Sequence, residues 1–271
     1  KQEVSFHSEA EEEVLLHILQ EKNYDQALHY VSDENVTKDL LIQHKELVNL
    51  WISEFGLKME KNRNEQMFFS KLFYKVHRKV LKNYVPFSTL HQTLSDGQYD
   101  CLSGTTFYAL LLNGLNVDFK VVETNYHIYL KIILDNGSTI LLESTDPING
   151  FITSEREIAE RLADYTDGNN TQRKADEYSF AVRLNNTVDM AGLAGLQYYN
   201  RSVDAFNNGE LKRSVDLYEK AGIFYESERL DEFGLVLSQA LLADNSLTPQ
   251  NKRQYLSKIP VMNDKGVVSL Y

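Results

Sequence analysis

A chain of 271 residues with 42% hydrophobic and 25% charged side chains is long enough for one large domain or two modest ones. Its net charge of -11 and pI near 5.2 argue against nucleic acid or an anionic membrane as partner, because both reward clustered Lys and Arg. No run approaches the roughly 18 consecutive apolar residues of a membrane span, and a single cysteine, Cys101, allows no internal disulfide. The chain opens at Lys1 on a short polar stretch, which reads as the tether left after an export leader is removed; a cytoplasmic protein is the alternative.

The first eighty or so residues carry helical periodicity. Val14, Leu15, Ile18 and Leu19 mark a first helix, and Leu40, Leu47, Val48, Trp51 and Phe55 a second. A third places Phe69, Leu72, Phe73, Val76 and Val80 on one face, with Lys and Arg on the other. Tyr84-Val85-Pro86 is expected to stop it, since the residue before proline is pushed out of the α region. All these aromatic side chains read as core.

Residues 87–99 read as a polar loop. Asp100 then caps an apolar helix that begins at Cys101 and stops at Asn113-Gly114. Strand patterns follow at Val117–Glu123, Tyr126–Leu134 and Ser138–Thr145, the last two joined by the hairpin signal Asp135-Asn136-Gly137-Ser138. Ser154-Glu155-Arg156-Glu157 is a capping box that opens a short helix. Tyr178, Phe180, Val182 and Leu184 alternate like one more strand. From about Asp189 the pattern is helical again. Residues 199–221 resemble one tetratricopeptide unit, with a turn at Gly209 and small or aromatic residues at Ser214, Tyr218 and Ala221. Leu230–Ala243 and Pro249–Ile259 suggest a second helical pair.

Three residues in the middle of the chain suit nucleophilic chemistry. Cys101 at a helix N-terminus would have its thiol pKa lowered by the helix dipole, and a nearby imidazolium would lower it further. A two-residue loop at Asn136-Gly137 pairs Asp135 with Ser138 and therefore His127 with Asp146. That brings their Cβ atoms to about 4.5–5.5 Å, so the carboxylate can orient the imidazole. No His-Glu-x-x-His, paired-cysteine or glycine-rich phosphate motif occurs, so neither metal nor cofactor is expected.

At these positions the chain resembles the transglutaminase-like superfamily, over roughly residues 65 to 160. The resemblance is carried by Cys101-Leu102-Ser103, the helix through Leu112, His127 before a hairpin, and Asp146-Pro147-Ile148-Asn149-Gly150. It implies an α+β fold in which a Cys-bearing helix packs on a small antiparallel sheet, a papain- or transglutaminase-like core. Helices would flank that core, giving regions 1–62, 63–185 and 186–271. It also implies a Cys101–His127–Asp146 triad acting on a protein or peptide substrate through a thioester. Tyr99 stands where that family usually has glycine, and the only tryptophan, Trp51, lies far upstream. Gln98 or Tyr99 is the expected oxyanion donor beside the Cys101 N–H. The alternative is a catalytically inactive fold of the same type that binds proteins through its helical segment.

Overall fold

A computed structural model describes residues 4–61, 64–125, 127–166, 185–259, 261–263 and 266–268. They form a mixed α and β protein, mostly helical, with a small antiparallel sheet. Two compact units divide them: one runs from His7 through the sheet to Met190, and the other holds residues 4–6 and the chain from Ala191 onward. The N-terminal helices therefore belong to the same unit as the sheet.

In the sheet unit, α1 (Glu9–Glu21), α2 (Lys38–Met59) and α3 (Glu65–Lys79) start on side-chain caps from Ser8, Thr37 and Asn64. Phe55, Phe69 and Phe73 are buried as their spacing predicts, Phe68 is buried with them, and Trp51 stacks on Phe55. Helix α3 ends at Lys79, ahead of the expected stop, because Asn83–Tyr84 form strand β1. The loop expected over residues 87–99 contains a helix, α4 (Leu90–Ser95). Its capping box is Thr89 with Gln92, a signature readable in the sequence. Strand β2 (Gln98–Tyr99) follows and pairs in parallel with β1.

Helix α5 (Cys101–Gly114) is buried without a break from Leu102 to Leu112. A helix apolar on every side belongs in the middle of a domain. It packs on a five-stranded sheet made of β3 (Phe119–Thr124), β4 (Ile128–Ile133), β5 (Thr139–Leu142), β6 (Phe151–Ile152) and β7 (Asn185–Val188), in the order β6-β5-β4-β3-β7. Every neighbouring pair is antiparallel. The other face of the sheet carries Val122, Tyr129, Leu141 and Ile152. Ile158, Leu162 and Tyr165 of α6 (Glu155–Thr166) cover them. The strand expected at Tyr178–Leu184 lies outside the described residues.

The β4–β5 register departs from the expected one by a single residue. Leu130 faces Leu142 and Ile133 faces Thr139, with Leu134 N–H donating to Ser138 O at 2.9 Å. The loop is thus Asp135-Asn136-Gly137. Gly137 has φ +81° and donates its N–H to Leu134 O at 2.8 Å. That is a type I turn closed by a left-handed glycine, the three-residue alternative to the tight Asn-Gly turn. A one-residue slip moves each side chain to the opposite sheet face, so Asp146 does not pair with His127.

The second unit contains α7 (Met190–Asn207), α8 (Leu211–Phe224), α9 (Glu228–Ala243) and α10 (Pro249–Leu256), followed by the short antiparallel strands β8 (Val261–Asn263) and β9 (Gly266–Val268). Gly209, with φ +76°, makes the α7–α8 turn. Ser202 and Ser214 interlock those helices, each hydroxyl donating to the other residue's carbonyl, at 2.6 and 2.8 Å. Among the described residues no helix is long and apolar enough to cross a membrane.

Candidate active site

Cys101 is the first residue of α5 and is partly exposed, unlike the eleven residues that follow it. Asp100 caps the helix: its carboxylate accepts from Ser103 N–H at 2.7 Å, and Asp100 N–H donates to Ser103 Oγ at 3.0 Å. The N–H groups of Leu102 and Phe87 also point at that carboxylate. Burial pushes the Asp100 carboxyl up to about 6, against these hydrogen bonds, which favour its charged form. Near neutral pH a carboxyl with that value is still mostly ionised, so its charge beside Cys101 in the chain opposes a thiolate.

His127 sits immediately before β4, where Thr124 N–H donates to its carbonyl at 2.8 Å. Its Nε2–H donates to Oε2 of Glu143, the residue after β5. Glu143 is only 2% exposed and gathers further donors: Tyr165 Oη at 2.7 Å, Thr145 Oγ1 at 2.9 Å and Thr145 N–H at 3.3 Å. Burial alone would raise its pKa. The hydrogen bonds and charge from His127, with those from Tyr165 and Thr145, overcome that and hold it below the ordinary glutamate range. The Tyr165 ring also lies against the imidazole, with centroids 4.9 Å apart.

The first turn of α5 is anchored to this pair through the pair's chain neighbours. Ser144, next to Glu143, donates its hydroxyl to Cys101 O at 3.2 Å. Thr105, one turn along the helix from Cys101, donates to the carbonyl of Ile128, next to His127, at 3.4 Å. Gly104 permits the approach, since a Cβ there would stand 3.0 Å from the Ser144 side chain. These bonds tie the first turn of α5 to Ser144 and Ile128, the chain neighbours of Glu143 and His127, while the side chains of His127 and Glu143 lie with Tyr165 of α6.

Asp146 is elsewhere. It is 26% exposed, pairs with Arg161 at 3.1 Å, and accepts from Asn149 N–H at 2.8 Å and Ile148 N–H at 3.3 Å. Burial works against ionisation there, but these partners hold its carboxyl below the usual range. Asp146 organises the loop behind Glu143, and Gly150 closes it. Glu143 N–H donates to Gly150 O at 2.7 Å, and Gly150 N–H donates to Asp146 O at 2.8 Å. A Cβ at Gly150 would lie 2.3 Å from Glu143 O, so glycine is required.

Gln98 is partly exposed, and its carbonyl accepts from Thr93 Oγ1 at 2.9 Å. The Tyr99 ring is buried against His77 and Tyr84. His77 lies among Phe73, Tyr99 and Tyr108. Burial depresses its pKa to about 4, although Asp146 and Glu143 pull it upward.

Sequence reasoning missed Glu143, Ser144 and Tyr165. The signal for Glu143 was present: an acid ending the apolar run Thr139-Ile140-Leu141-Leu142, on the same strand face as Leu141. A three-residue hairpin loop would have drawn attention to it. Among the described residues no group of three or more His, Cys, Asp or Glu could hold a metal ion. Set against family models, curated proteins and solved structures, the chain matches none of them.

Proposed function

We propose that this chain is a cysteine-dependent amide hydrolase or acyl transferase of transglutaminase-like type, with Cys101 as nucleophile, His127 as proton carrier and Glu143 as the carboxylate that orients it. The observation that supports it most is the buried Glu143–His127 pair, whose chain neighbours Ser144 and Ile128 anchor the first turn of α5. Glu143 takes the part that sequence reasoning gave to Asp146. With Nε2 committed to Glu143, Nδ1 is the nitrogen that would exchange a proton with the thiol.

In this reading the Cys101 thiolate attacks an amide carbonyl carbon and forms a C–S bond. Protonated His127 gives its proton to the departing nitrogen as the C–N bond breaks, leaving a thioester. Water or a second amine then attacks, His127 takes its proton, and the C–S bond breaks to return the thiol. The Cys101 N–H and the Gln98 side chain are the oxyanion donors of this scheme. No cofactor enters it. The substrate is a protein or peptide amide, and the C-terminal helical unit, with its tetratricopeptide-like first pair, is its docking surface. The reading carries with it a papain- or transglutaminase-like core and an exported chain.

One observation favours the inactive, protein-binding alternative: the Asp100 carboxylate occupies the Leu102 and Ser103 N–H groups, which removes two oxyanion donors at the head of α5. Iodoacetamide alkylation of Cys101, followed by mass spectrometry across pH 5–9, separates the two. The enzyme reading expects fast alkylation near neutral pH that slows about tenfold or more in His127→Ala. It expects Asp146→Asn to stay within about threefold of wild type. Equal, ordinary thiol reactivity in wild type and His127→Ala would leave only the binding reading.

A further inference from the structure

We infer that Phe87 forms an apolar recognition subsite beside Cys101, for the hydrophobic or aromatic substituent next to the carbonyl under attack. The inference rests on the reading of Cys101 as a nucleophile and names the kind of substrate that nucleophile would take.

Val85-Pro86-Phe87-Ser88 is a β-turn, closed by Ser88 N–H donating to Val85 O at 3.3 Å. Proline suits its second position. The third has φ +60°, the left-handed value that makes a type II turn and that glycine or asparagine normally supplies. Here it carries a phenylalanine. Core packing does not account for that choice, because Phe87 is 37% exposed. Aromatic side chains in this conformation persist only where the surroundings hold them, and such residues gather at ligand sites.

What holds this one is the entry to the Cys101 helix. Asn83 and Tyr84 pair with Gln98 and Tyr99, Val85 N–H donates to Tyr99 O at 2.9 Å, and Phe87 N–H points at the Asp100 carboxylate. The turn is thus tied to all three residues that precede Cys101. Tyr84 and Val85 are exposed as well. From Asn83 to Ser88 the run carries no charge, in a chain that is one quarter charged residues. An uncharged, exposed aromatic run fixed at the entry to the thiol-bearing helix favours an apolar group on the substrate over a charged one.

The test compares two alkylating probes on the full chain: iodoacetamide, small and polar, and a phenylalanine-derived chloromethyl ketone, whose benzyl group lies beside the reactive carbonyl. Wild type should prefer the ketone. In Phe87→Gly, which relieves the turn, the ketone-to-iodoacetamide rate ratio should fall about tenfold. Phe87→Asn also tolerates φ +60° and should behave alike, which keeps the test intact if one variant folds poorly. Phe87→Leu should retain most of the ratio. Leu50→Ala, an exposed apolar position on α2, should change neither rate. No ketone preference in wild type, or an unchanged ratio in folded Phe87→Gly or Phe87→Asn, overturns the inference. Failure of the nucleophile reading is seen separately, as an iodoacetamide rate that does not depend on His127.

Discussion

Glu143 in the sheet unit and Lys258 in the helical unit are both charged groups almost out of contact with water, but they keep different company. Lys258, 8% exposed, donates to Asp216 at 2.7 Å and lies 2.9 Å from Glu219, so two carboxylates enclose one ammonium. Burial works against its charge, but those two partners raise its pKa above the usual lysine value. Glu143 instead faces an imidazole, a phenol and a threonine hydroxyl. An imidazole can take a proton on one ring nitrogen and give one from the other, whereas Lys258 and its carboxylates form a plain ion pair. The first arrangement is a structural staple; the second can handle a proton. The same division runs through the composition, since all seven histidines and the only cysteine occur at or before His127.

The largest expected effect comes from Glu143→Ala. It strips His127 and the Tyr165 hydroxyl of their acceptor, so Cys101 alkylation at pH 7 should slow about tenfold or more. Urea unfolding should lose about 3 kcal/mol. Unchanged reactivity would reduce Glu143 to a staple like Lys258 and break the comparison.

Gly150→Ala comes next. Its new Cβ meets the carbonyls of Glu143 and Asp146 at 2.3 and 2.4 Å, and backbone atoms cannot yield as a side chain can. A loss of about 2 to 3 kcal/mol in urea unfolding is expected, with slower alkylation as Glu143 shifts.

Acidification should separate the units. Burial depresses His29 to about 3, and burial together with nearby His91 depresses His44 to about 4. Burial also holds His77 at about 4. The unfolded chain takes up these protons near pH 6.5 and the folded chain does not, so stability falls as pH drops from about 6.5 towards about 4. Asp100, raised to about 6, acts in the opposite sense, as one group against three. The melting temperature of the sheet unit should fall by about 5 °C between pH 7 and pH 5. Amide exchange over residues 191–259 should change less, since no histidine lies there. Equal loss in both units would contradict the assignment.

Lys258→Met is the mildest. Asp216 and Glu219 keep partial access to water, so about 1 to 2 kcal/mol is expected in urea unfolding. Cys101 alkylation should match wild type. A change in that rate would mean that the two units do not act independently.

The N-terminal helices were legible because Leu72, Phe73 and Val76 repeat at the helical period, and that period reports the buried face directly. Cys101 at the head of a helix was legible for the same kind of reason, since Asp100 is a capping residue ahead of an apolar run. Helix α4 was overlooked because six residues are too few for a period, although Thr89 and Gln92 marked its start. The carboxylate partner of His127 was misread for a different reason. Asn136-Gly137 is compatible with either a two-residue or a three-residue loop, and only the choice between them decides which acid lies next to the imidazole.

The sequence by itself determined the longer helices, the run of strands from β3 to β5, and that one thiol heads a buried helix followed by a histidine. These depend on local period and capping, which neighbouring residues settle among themselves. Only the tertiary structure decided that Glu143, and not Asp146, holds His127. It likewise decided that the Ser144 and Thr105 hydroxyls bind the first turn of the Cys101 helix to the chain neighbours of that pair, and that Phe87 is held left-handed at the helix entry. Strand register, the approach allowed by Gly104 and the strained turn at Phe87 depend on groups far apart in the chain. Their geometry follows from the packing of α5 on the sheet, which no local pattern encodes.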